Sequence, residues 1–202
     1  MRSCFCVSPK KRKAALAGVT VVLALSASSA PAHSGAVEEQ AEHRPATRAA
    51  EGVVTMNAVS LQFVDYRNDP AELAARVDRM ISEAPPPTRE GSPVGLVVPH
   101  AGYIYSGPIA AHGYRAIQGK DYDTVVVIGP SHRTPFRGIS ILDASSFDSP
   151  LGSIPCDRPL IESLFAAHDG ISYLPEAHSQ EHSLEVQIPF LQRSLPPFPL
   201  VM

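Results

Sequence analysis

Two short runs of apolar, mostly β-branched residues set the frame. They are Val94 to Val98 (VGLVV) and Thr124 to Ile128 (TVVVI), with a helical pattern between them. Runs this short and this evenly apolar read as strands buried on both faces, the pattern of parallel sheets. Strand, helix, strand is a βαβ unit, so the expected fold is α/β, a mostly parallel sheet flanked by helices. In such sheets, ligands bind beyond the carboxyl ends of the strands. His100 follows the first run and His132 the second. If the two strands are neighbours, both imidazoles enter one crevice.

The remaining elements follow from local signals. Asp69-Pro70 opens a helix, Asp as N-cap and Pro in the first turn, with Leu73, Val77, Met80 and Ile81 at helical spacing. Ala84-Pro85-Pro86-Pro87 ends it. Ser106 is the expected cap of a helix from Gly107 to Gln118, and Ile139 to Leu142 a third strand. Asp157 caps a helix bearing Leu160, Ile161, Leu164 and Phe165. A last helix is expected from Gln180 to Arg193, with Leu184, Ile188 and Leu191 on its inner face.

Composition narrows the function classes. At 202 residues, 44% hydrophobic and 18% charged, the chain is neither disordered, collagen-like nor a multi-pass membrane protein. A net charge of −3 argues against a nucleic-acid partner. The charge is uneven. Arg2 and Lys10-Lys11-Arg12-Lys13 precede an apolar run from Ala14 to Ala27, and Ala30-Pro31-Ala32 fits a cleavage site. This order predicts a signal peptide over 1–32, then a flexible leader over 33–51 and one domain over 52–202. Export to the periplasm or exterior is the expectation; a start codon further downstream would leave the chain cytoplasmic. The apolar run is short for a bilayer, so no stable membrane span is expected after cleavage. Only Cys156 then remains, which excludes an internal disulfide.

Three groups carry candidate chemistry. His100 and His132 suit a metal, imidazole being a common ligand, but such a site needs a further donor. His178-Ser179-Gln180-Glu181-His182 matches H-x-x-E-H, in which two histidines bind zinc and Glu activates water. Against that stands Pro175, close upstream, and a simpler role for Glu181, His182 and Glu185 at the start of an amphipathic helix. Cys156 beside a helix start is a thiolate candidate or, more simply, a buried inert thiol. Ser131 has no nucleophile-elbow glycines around it.

Four stretches occur together: PHAGYIYSG at 99–107, VVVIGPSH at 125–132, SPLGSIPCD at 149–157 and EHSLEVQIPFLQ at 181–192. In this order and spacing they resemble the MEMO family, known in prokaryotes as AmmeMemoRadiSam system protein B. The resemblance implies an α/β fold similar to class III extradiol dioxygenases, whose non-haem iron is held by two His and a carboxylate. In MEMO-like proteins a Cys takes the carboxylate position, and iron or copper is bound. His100 and His132 match the histidines of the family's PHAGY and GPSH motifs and are the implied metal ligands. Tyr103, Ser131, Glu181, His182 and Glu185 are expected to line the site. Arg133 stands where family members often carry a second His. The family's ligand Cys and its Ser-Ser-Asp…His motif have no counterpart in 1–202, so a truncated domain lacking the third ligand is expected. The implied function is a non-haem iron or copper site with a redox or dioxygenase-like role, with other AmmeMemoRadiSam system proteins as partners. Two other readings stand beside it: a non-enzymatic module binding a peptide or small anion, and the H-x-x-E-H zinc metallopeptidase.

Overall fold

The computed structural model describes residues 19–25, 52–88, 91 and 93–202. The basic tetrad, the expected cleavage site and the expected flexible leader lie outside these residues. In chain order the elements are β1 (Val19–Leu25), β2 (Val53–Thr55), α1 (Ala58–Phe63), α2 (Pro70–Glu83), β3 (Gly95–Pro99), α3 (Tyr103–Ile117), β4 (Thr124–Ile128) and β5 (Ile139–Ser140). There follow β6 (Ser146–Ser149), β7 (Gly152–Pro155), α4 (Arg158–Ala167), β8 (Ile171–Ser172), α5 (Pro175–His178), a 3-10 turn (Glu185–Gln187), α6 (Ile188–Ser194) and β9 (Leu200–Val201).

The fold is α/β, with a four-stranded sheet in the order β3-β1-β4-β9. It is mixed rather than mostly parallel. β1 runs antiparallel to both β3 and β4, while β4 and β9 are parallel. Part of the apolar run expected to belong to a signal peptide therefore forms a strand between the two motif-bearing strands. The two are not neighbours, yet they point the same way, because each opposes β1. His100 and His132 consequently leave the same sheet edge, separated by one strand width on either side of β1, about 10 Å in all. The rest of the sheet structure is small: β2-β6-β7 and the pair β5-β8.

The caps explain where helices start. Asp69 accepts from the N–H groups of Ala71 and Glu72, satisfying donors that the first turn leaves open. Asp157 does the same for Leu160. Two boundaries differ from the sequence reading. α3 starts at Tyr103, one turn earlier than expected, and the Ser106 hydroxyl donates to the Ala101 carbonyl instead of capping. The last helix is only Ile188–Ser194 behind a 3-10 turn. Residues 181–184 are held as a turn because the Glu181 side chain accepts from the N–H groups of His182 and Ser183.

The core lies between the sheet and α2, α3 and α6. Tyr114 and Phe190 are buried and stack at 4.7 Å between ring centroids. Gly113 lets α3 settle on β3, for a Cβ there would meet Val98 Cγ1 at 2.7 Å. The Tyr114 hydroxyl donates to Gln187 Oε1 at 2.7 Å, and Gln187 Nε2 donates to the Pro99 carbonyl at 3.2 Å. This chain of bonds ties α3 and the 3-10 turn to the end of β3, the residue before His100.

Candidate metal centre

Three segments converge beyond the carboxyl ends of β3 and β4. β3 delivers His100, the loop after β4 delivers His132, and the turn before α6 delivers His182. One ligand atom from each lies within 4.8 Å of the other two. Their ring centroids are 5.1 Å (His100–His132), 4.9 Å (His132–His182) and 5.8 Å (His100–His182) apart. Gly129 makes the convergence sterically feasible. A Cβ there would stand 2.8 Å from both Ser183 Oγ and Leu184 Cδ2. The Ser183 hydroxyl also donates to the Pro130 carbonyl at 2.8 Å, pinning the 181–184 turn to the loop after β4.

Glu181 organises the group. Its carboxylate accepts from the backbone N–H of His132 at 2.6 Å and lies 2.9 Å from His132 Nδ1. It also accepts from the N–H groups of His182 and Ser183 at 2.8 Å each. Burial alone would raise its pKa, but these donors outweigh burial and hold it at about 2. The Glu181 carboxylate facing Nδ1 orients the His132 ring and leaves Nε2 as its candidate ligand atom. His100 is buried, at 2% exposure. Burial first, then the neighbouring His132 and His182, lower its pKa to about 4, so it is neutral at pH 7. Burial lowers His182 as well. Three imidazoles, one oriented by a carboxylate, are a donor set that suits a transition metal. The residues present fit a metal ion.

This corrects one expectation. The chain does contain a third candidate ligand, His182, which the sequence reading treated only as lining. The H-x-x-E-H reading does not survive the geometry. His178 Nε2 is hydrogen-bonded to Ser140 Oγ at 2.8 Å and lies outside the three-histidine group, while Glu181 is engaged with His132. Tyr103 turns into the core, where its hydroxyl donates to the Val186 carbonyl and its ring packs on Phe190. Ser131 bonds within its own turn, to Thr134. Glu185 is buried behind the site and accepts from the Asn57 N–H at 2.8 Å. Cys156 is buried too, and burial pushes its thiol to about 11, the inert alternative.

Two supporting residues escaped the sequence reading. Asn57 caps α1 and donates through Nδ2 to the Glu181 carbonyl at 2.8 Å. Phe63 lays its ring on His182, centroids 3.8 Å apart. An Asn before an apolar helix signals a cap, but nothing local signals a partner more than a hundred residues away.

The family model described as Memo-like protein matches residues 63–201. The chain belongs to the Memo-like family. Among curated relatives, a MEMO1 family protein of Thermotoga sp. (strain RQ2) is 39% identical over 140 residues, covering 66% of this chain and 46% of the relative. Its counterpart in Methanocaldococcus jannaschii is 41% identical over 104 residues, 50% of this chain and 36% of the relative. That of Ignicoccus hospitalis is 44% identical over 107 residues, 52% of this chain and 38% of the relative. The Memo-like chain thus spans less than half the length of each of these relatives.

Proposed function

We propose that this Memo-like chain holds a non-haem iron or copper ion on His100, His132 and His182, and that the centre serves redox or oxygen chemistry. The observation that carries this reading is the approach of ligand atoms from three imidazoles, on three separate segments, to within 4.8 Å of one another. A bound iron or copper ion would supply one-electron chemistry and an open coordination position. The chain's own residues do the rest. His100 provides a buried, uncharged anchor. Glu181 orients the ring of His132 and fixes the path of the 182–183 backbone. Phe63 packs one side of His182 and limits its rotation. Elemental analysis and calorimetric titration with iron(II) and copper(II) test the reading. Wild type is expected to bind one equivalent, and His100→Ala to lose it. Unchanged metal content in that variant overturns the assignment.

A further inference from the structure

A cleft of about 530 Å³ lies beside the three histidines, walled in part by Phe63, Asp65, Arg67, Gly102, Ile104 and Tyr105. Its volume is in the range of small-molecule sites. Two features join it to the metal centre. Phe63 belongs to its wall and its ring also packs against His182. Gly102, also in the lining, stands two residues after His100.

The walls differ in chemistry. Ile104 and Tyr105, at the start of α3, are 72% and 79% exposed and offer apolar surface to solvent. The loop after α1 adds Arg67 to the lining. That loop turns through Asp65 and Asn68, which adopt positive φ of 52° and 60°, a conformation these two residue types tolerate. Buried Val64 and the Arg76 guanidinium anchor the start of the loop. Arg76 donates to the carbonyls of Val64 and Asp65 at 3.1 and 3.0 Å.

Charge then decides what the cleft suits. The Asp65 carboxylate receives Arg76 at 3.1 Å as well as Arg67 at 3.4 and 3.2 Å. Arg76 stays on Asp65 Oδ2 and the Asp65 side chain is 38% exposed, so water can take over Oδ1 when Arg67 exchanges that contact for a ligand. Its guanidinium has five N–H donors in a fork that matches a carboxylate.

We propose that this cleft binds a small organic carboxylate with an apolar or aromatic body. Arg67 takes the carboxylate, and Phe63, Ile104 and Tyr105 pack the body. That such a molecule is the substrate rests on the metal-centre reading above; its binding does not. The test uses the full chain with 3-phenylpropionate and 3-phenylpropan-1-ol, which share a body and differ in charge. Binding is followed by calorimetry with and without iron(II). The acid is expected to bind about tenfold tighter than the alcohol, a difference set by charge-assisted hydrogen bonds. Arg67→Gln removes the difference and leaves iron(II) affinity unchanged. Ile104→Ser weakens both probes. His100→Ala abolishes iron(II) binding and keeps the acid preference. Equal binding of acid and alcohol, no saturable binding of the acid, or an acid preference that persists in Arg67→Gln overturns the proposal. Loss of the acid preference in His100→Ala assigns the carboxylate to the metal and overturns it as well. Failure of wild type to bind iron(II) or copper(II), with the acid preference intact, rejects only the metal-centre reading.

Discussion

Glu181 holds His132 by two bonds at once, from its backbone N–H at 2.6 Å and at its ring Nδ1 at 2.9 Å. The same carboxylate caps the turn that carries His182, so one side chain sets two of the three candidate ligands. Glu181→Gln keeps the shape but puts an amide where an acceptor is needed, setting its N–H donors against those of His132. Metal affinity is expected to fall about 10–100-fold, the usual effect of losing such a supporting partner. Calorimetric titration measures this, and unchanged affinity would refute the orienting role.

The two histidines flanking Glu181 have different jobs, and substitution separates them. His182→Ala is expected to lose metal while keeping its fold. His178→Ala is expected to keep metal but melt earlier, because it removes the Ser140 bond that joins β5 to α5. Metal content and a thermal melt on both variants decide it. Equal loss of metal in the two would revive the H-x-x-E-H arrangement.

Tyr114→Phe removes the hydroxyl that donates to Gln187 Oε1 and leaves that buried acceptor without this donor. Its cost is expected to be about 1–3 kcal/mol. Denaturant unfolding of the variant against wild type gives the value; a difference near zero means that another donor replaces the hydroxyl.

Glu185 supplies a pH signature. Burial raises its carboxyl from 4.5 to about 7, against the opposing bond from the Asn57 N–H. Between these values the unfolded chain has lost a proton that the folded chain keeps, so this group lowers stability as pH rises from 4.5 to 7, and its penalty is constant above. Glu185→Gln removes the penalty. The variant is expected to be more stable than wild type at pH 8 and to lose that advantage by pH 4.5. Parallel unfolding curves at the two pH values check the sign, and an advantage confined to acid pH contradicts it.

The elements legible in the sequence are those with a local cause. Asp69 and Asp157 cap helices because their carboxylates reach N–H groups two or three residues on. β4 and, within a residue, β3 run where the β-branched runs are. His100 and His132 were legible as partners because both follow strands of one βαβ unit. The early start of α3, the turn at 181–184 and the antiparallel insertion of β1 were not. Each depends on groups distant in the chain, or on a carboxylate turned back onto its own backbone.

Sequence alone determined the α/β class, the family and two of the histidines, since apolar periodicity, capping residues and ordered motifs act over a few residues. Only the tertiary structure decided that His182 joins them and His178 does not. It also placed Asn57 and Phe63 behind the site and separated β3 from β4 by a strand. The physical reason is range: hydrogen bonds and ring contacts at 3 to 6 Å join segments far apart in sequence. Which imidazole meets which is set by packing, as at Gly129, where a hydrogen in place of a methyl lets the 181–184 turn come close enough to deliver the third ring.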